Sequence, residues 1–241
     1  MNTTIKKLIF AITIILLLAG TYLIYTSPVP INPGTPLGNL SASEQQDWDN
    51  YTNSFKIFYF HVPLAWVSYL AFFVTFIASL GYLKTKNQKW DITALTSAEI
   101  GVMTCGLTLA SGILWAKAAW NVYWEWNPRL TLVLVLFLLY VSYILVRQAM
   151  DSPEVRARTS AVFGIIAFIA VPLSYFSIKL WETRHPDLTG EGGGIEGSTI
   201  IMTLVLNIIA YTFLYVSLFI LRRDNELMSE EISYMKRNED I

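Results

Sequence analysis

Apolar runs of membrane-crossing length, separated by short polar stretches, set the organisation of this chain. The first runs from about Leu8 to Tyr25 behind Lys6 and Lys7. Its hydrophobicity continues past the small pair Ala19–Gly20 and no cleavage motif follows, so a retained helix is expected rather than a signal peptide. From Thr26 to Ser54 the sequence turns polar, and its four prolines and two glycines predict a loop. A second helix is expected from Lys56 or Phe58 to Leu83, with His61 near its start and Pro63 tolerated in its first turn. A third covers roughly Thr93 to Leu114. A fourth follows from Arg129 to about Val146, with Asn127 as N-cap and Pro128 as its first helical residue. Arg147 and the segment DSPEVRAR read as a charged loop. The fifth helix spans about Thr159 to Leu180, with Pro172 as a candidate bend, and the sixth spans Ser198 to Leu221.

Runs of this length read as transmembrane helices, and a helical bundle satisfies every backbone group within its own span. The expected fold is therefore an all-α membrane protein, a six-transmembrane-helix bundle. Residues 1–221 form one membrane domain with a Trp-rich loop at 115–131, and residues 222–241 form a charged cytoplasmic tail with helical character. Basic residues set the orientation: Lys6, Lys7, Lys84, Lys86, Lys89, Arg147, Arg156, Arg158, Arg222 and Arg223 all fall on one side if both termini are cytoplasmic. That arrangement puts His61, the Trp-rich loop and His185 on the outer face.

Composition sharpens this picture. The chain of 241 residues is 54% hydrophobic and 15% charged, too apolar for an ordinary soluble domain, and its net charge of −1 gives no footprint for nucleic acid. Cys105 is the single cysteine, so internal disulfides and paired-thiol chemistry are excluded. No CxxCH occurs, so thioether attachment of haem to this chain is excluded as well. Gly192, Gly194 and Gly197 match GxGxxG, but a dinucleotide fingerprint needs a strand before it, and here a membrane helix follows; the patch reads as a linker.

The densest chemistry lies in WAKAAWNVYWEWNPRLT, Trp115 to Thr131. It gathers Trp115, Trp120, Trp124 and Trp126 around Tyr123, with Lys117 and Arg129 at the edges. If residues 118–125 are helical, Trp120, Tyr123 and Trp124 share a face, a flat aromatic surface with cations at its rim. The bland alternative is an interfacial aromatic belt. The only two histidines, His61 and His185, fall on the same side as this stretch. Two imidazoles can supply both axial positions of a haem iron, and Arg129, Arg184 or Lys117 can pair with propionates. Zinc would need further ligands such as Glu182 or Asp187, so haem fits the supply of ligands better.

The strings IFYFHVPLAWVSY, WAKAAWNVYWEWNPRLTLVLVLFLLYV and VPLSYFSIKLWETRHP, in this order, resemble the CcmC family of cytochrome c maturation. The Trp stretch is similar to the WWD signature of the wider haem-handling superfamily, and the resemblance extends over Phe55 to Leu221. It implies that His61 and His185 are axial haem ligands. It also implies that Trp115, Trp120, Trp124 and Trp126, with Tyr123 among them, form the haem-facing surface. The cargo implied is haem b, bound non-covalently on the outer face of the cytoplasmic membrane for delivery to a CcmE-like chaperone. The partners implied are CcmA/CcmB-like ABC transporter subunits and a CcmD-like small membrane protein. Three departures stand out: Asn127 replaces the family Asp, Tyr123 replaces the second Trp of a WW pair, and Ala116 and Asn121 stand where Gly is usual. No residue in the stretch reads as a nucleophile or general base, so a carrier is expected rather than an enzyme. The competing class is a transporter moving haem or a small molecule through the bundle, which calls for intramembrane polar groups and broken helices.

Overall fold

A computed structural model describes residues 2–26, 41–180 and 198–239; within its helices a few side chains, Trp120 among them, lie outside the description. Eight helices account for these residues: α1 (Thr3–Thr26), α2 (Ala42–Ser54), α3 (Phe58–Thr85), α4 (Gln88–Trp120), α5 (Pro128–Gln148), α6 (Pro153–Ala167), α7 (Ala170–Leu180) and α8 (Ser198–Glu239). A short 3₁₀ turn, Phe55–Ile57, leads into α3. Six spans are long and apolar enough to cross a membrane, with α6 and α7 together making one of them.

Four boundaries differ from the sequence expectation. The polar segment before α3 is helical from Ala42 to Ser54 instead of loop throughout: its prolines all precede residue 37, and nothing after Ala42 breaks a helix. α4 is longer than expected at both ends, and it continues through Lys117 to Trp120. Half of the expected charged loop belongs to α6, which opens with Pro153 at its first position. The fifth span is broken at Phe168–Ile169, not at Pro172 itself. Proline has no N–H, and its ring crowds the carbonyl four residues back, which here is that of Phe168. The chain turns there through three-residue bonds, Ile169 N–H to the Ile166 carbonyl at 3.2 Å and Val171 N–H to the Phe168 carbonyl at 3.0 Å. The last helix agrees with the expectation of a helical tail, running unbroken past Arg222.

α3 and α4 form the central hairpin. Lys86 closes α3 in the left-handed region at φ 57°, and the Asn87 side chain accepts from Lys89 N–H at 2.9 Å to open α4. The turn is two residues long, so the helices run antiparallel in close contact. Small and hydroxylated residues permit that approach. Ser97 Oγ donates to the Ala71 carbonyl at 2.7 Å, and Ser68 Oγ bonds Thr104 Oγ1 at 3.2 Å. Phe72 stacks on Tyr140 of α5 with ring centroids 3.7 Å apart, and a Cβ at Gly101 would come within 2.5 Å of the Phe72 ring. That is the centre of the bundle.

α1 packs against α8 through a polar seam. Thr13 Oγ1 and Ser217 Oγ lie 2.8 Å apart, Lys6 pairs with Asp224, and Asn207 fills the space over Gly20. A Cβ at Gly20 would sit 2.6 Å from Asn207 Oδ1. Gly20→Leu is therefore expected to push α1 off α8 and cost ~1–3 kcal/mol, as overpacking does. Thermal unfolding in detergent, beside cysteine cross-linking across the seam, measures both effects; unchanged cross-linking would show that the seam tolerates the side chain.

The helix directions place His61, the α4 C-terminus and the α5 N-terminus at one end of the bundle. Lys84, Lys86, Arg147 and Arg222 gather at the other.

Candidate functional site

The site begins with one stripe of α4. Thr108, Ser111, Gly112 and Trp115 follow a helical spacing of three, four and seven, so they line a single face. α3 lays His61 against that stripe. Gly112 makes the approach possible: a Cβ there would meet His61 Cε1 at 3.0 Å. His61 Nδ1 lies 3.0 Å from Ser111 Oγ, and the Trp115 ring packs 6.1 Å from the imidazole, centroid to centroid. Trp115 also meets Phe58 edge-on at 6.1 Å. His61 is 9% exposed and Trp115 2%.

Two asparagines bracket the segment that follows. Asn121 ends α4 in the left-handed region at φ 57°, its N–H bonded to the Lys117 carbonyl at 3.0 Å. Left-handed geometry is open to Gly at no cost and to Asn at little, so Asn121 ends the helix there without strain. Asn127 opens α5, its side chain accepting from Leu130 N–H at 2.9 Å. It performs the N-cap duty an Asp would perform, without the charge.

Because α4 stops at Trp120, the expected helix over 118–125 does not form, and the shared face of Trp120, Tyr123 and Trp124 fails with it. The aromatics occupy separate places. Trp115 is a core residue beneath the histidine. Tyr123 is exposed, with Lys117 Nζ 4.9 Å over its ring, and Lys117 also donates to Asn121 Oδ1 at 2.7 Å. Trp124 and Trp126 meet edge-to-face at 5.5 Å; Trp126 is 78% exposed, whereas Trp124 Nε1 is buried with no acceptor among the described residues. The side chain of Trp120 lies outside the described residues. So do His185, Arg184, Glu182, Asp187 and the Gly192–Gly194–Gly197 patch.

His61 and Arg129 come together. Both line a cavity of about 80 Å³ between α3, α4 and α5, with Trp115, Tyr69, Cys105 and Glu125 in its wall. It reaches from the Trp-rich connector down to Ser68, two turns below His61. The wall brings together an imidazole held against a glycine and a guanidinium, a set that can meet the edge of a porphyrin.

Sequence reasoning missed Ser111 and Gly112, although their spacing from Trp115 within SGILW was open to inspection. It also missed the buried ion pair at the far end of the bundle. Arg147, expected in a loop, forks onto Asp91 with bonds of 2.6 and 2.5 Å, the two side chains 8% and 2% exposed. Glu99 in α4 accepts from Arg222 at 2.7 and 3.0 Å.

Fold and site together define a multi-pass helical membrane protein with a histidine-centred site at one end of its bundle. The family model for CcmC, described as haem exporter protein C, matches residues 21–238, and the chain belongs to that family. It is 36% identical to haem exporter protein C of Bradyrhizobium diazoefficiens over 73% of this chain and 68% of that protein. It is 31% identical to a cytochrome c biosynthesis CcmC-like mitochondrial protein of Marchantia polymorpha over 79% of each chain. Haem exporter protein C of Haemophilus influenzae is 28% identical over 74% of each.

Proposed function

We propose that this protein is a haem carrier of cytochrome c maturation, seated in the cytoplasmic membrane with both termini inside. In this reading it holds haem b non-covalently on the outer face through His61 and His185. The observation that carries the reading is the convergence of His61, Gly112 and Arg129 on one cavity that opens at the Trp-rich connector. His61 and His185 ligate the iron from opposite sides, which excludes a third ligand such as peroxide. Arg129 and Arg184 pair with propionates. Trp124 and Trp126 cover the macrocycle from the connector, and Trp115 backs the proximal imidazole from below. Trp120 and Tyr123 belong to the same surface. Basic residues at the opposite end, Lys84, Lys86 and Arg222 among them, support the orientation.

A cavity of about 80 Å³ is too small to enclose a porphyrin, which supports a cargo held at the end of the bundle. A site there is accessible to a docking CcmE-like chaperone, with CcmA/CcmB-like and CcmD-like subunits alongside. The reading is of a carrier and not an enzyme. A second reading, transport through the bundle, draws on the buried Asp91–Arg147 pair, since intramembrane charges mark many pathways. That pair is closed on itself, which favours a structural role.

Haem titrated into the purified protein, followed by absorption, tests the assignment against transport. Saturable one-to-one binding with a low-spin spectrum, and no haem flux in liposomes holding the protein alone, is the expected result. Flux through protein-only liposomes would replace the carrier with a transporter.

A further inference from the structure

The hydrogen bond between His61 and Ser111 has a direction that the rest of α4 dictates. Ser111 Oγ lies 2.8 Å from the Leu107 carbonyl and 3.1 Å from the Thr108 carbonyl. A serine hydroxyl has one proton, and in a helix surrounded by apolar groups that proton goes to the carbonyl one turn back. Only a lone pair then faces His61 Nδ1, 3.0 Å away. The imidazole also hydrogen-bonds the Thr108 backbone carbonyl, a group that can only accept. Nδ1, facing the serine lone pair, is therefore the ring nitrogen that carries the proton.

We infer that Ser111 is a positioning residue that holds His61 as the Nδ1-protonated tautomer, leaving the Nε2 lone pair for iron, while Gly112 supplies the clearance that sets the ring. The inference rests on the haem reading for the identity of the metal, but its tautomer claim concerns the chain alone. A ligating histidine generally donates its second ring N–H to a fixed acceptor, which sets tautomer and orientation together. The acceptor chosen here has a consequence. A carboxylate in that place would pull strongly on the Nδ1 proton and make Nε2 a stronger donor to iron. The Ser111 hydroxyl is neutral and already engaged with two carbonyls, so it orients the ring without that reinforcement. A ligand oriented but not strengthened suits a protein that must release its haem.

The test uses the full chain in detergent, labelled with ¹⁵N-histidine and free of haem. Two histidines give two spin systems, and His61→Ala assigns them. The wild type should show His61 protonated at Nδ1. Ser111→Ala should shift the Nδ1 resonance and weaken haem binding by roughly tenfold, the lower end for loss of an outer partner, and Ser111→Thr should restore both. His61 protonated at Nε2 in the wild type would overturn the inference, as would a Ser111→Ala protein with unchanged resonances and unchanged haem affinity. Haem binding that survives His61→Ala would instead remove the haem reading and leave the tautomer result standing.

Discussion

His61→Ala is expected to abolish the low-spin haem spectrum of the purified protein. On the proposed bis-imidazole reading the iron then loses one of its two axial ligands, and the guanidinium of Arg129 in the same wall cannot replace it, because an arginine stays protonated. Loss of an outer partner alone weakens metal binding by about 10–100-fold, so removing the ligand itself should cost more than ~100-fold in haem affinity. His185→Ala should give the same loss from the other face, and the double variant should bind no haem. Rescue by imidazole separates a missing ligand from a damaged fold. Truncating His61 leaves an imidazole-shaped space between Ser111, Gly112 and Trp115, and added imidazole should enter it and restore part of the low-spin spectrum. A helix displaced by misfolding would not respond. An unchanged Soret band in the double variant would refute ligation by these histidines.

How far the sequence carried this conclusion depends on what kind of signal each element leaves. α1, α3 and α5 are uniform apolar runs and were readable as such, and the start of α5 was readable to the residue because Asn127–Pro128 is a capping pair with a mechanism. α2 left no signal of that kind. Its sequence, ASEQQDWDNYTNS, has no apolar stripe, and it is held against α4 instead of being driven by its own periodicity. The Trp-rich segment invited a helical reading because its aromatics fall at helical spacings. One backbone conformation, Asn121 in the left-handed region, ends α4 before that spacing can act. At the site, the rare residue types were conspicuous: two histidines in a chain of this length, and an arginine beside a tryptophan cluster. Ser111 and Gly112 were not. A serine in an apolar helix usually bonds its own backbone, and a glycine has many reasons to sit in a helix interface; only the position of α3 shows that both serve His61.

The same limit applies to charge. Counting basic residues by side treated Arg147 as one of a group at the membrane boundary, whereas the structure buries it against Asp91. Asp91 sits in the first turn of α4, where the helix dipole favours an acid, and Gln88 Nε2 adds a bond to its Oδ2 at 3.1 Å. Arg147 closes the last turn of α5, where a cation is favoured. The pair thus locks the start of α4 to the end of α5, far from the histidine but on the two helices whose other ends carry Ser111, Gly112 and Arg129.

Asp91→Leu should destabilise the protein by ~3–5 kcal/mol, because it strips a guanidinium with 8% exposure of its bidentate partner and leaves only the more distant Glu226 as counter-charge. Arg147→Leu should do comparable damage by stranding the carboxylate. Replacing both together should recover most of the loss, since two well-packed apolar side chains avoid the desolvation that each lone charge incurs. Unfolding in detergent by heat or denaturant, read by helical circular dichroism for the four proteins, closes the cycle. A loss below ~1 kcal/mol for Asp91→Leu would mean that water reaches Arg147 through the polar cleft it lines with Arg156, Arg222 and Glu226, and that the pair is a surface ion pair in energetic terms. Haem affinity provides the second readout. If α4 and α5 transmit position as rigid helices, the single variants should weaken haem binding along with stability, and the double variant should restore the two together.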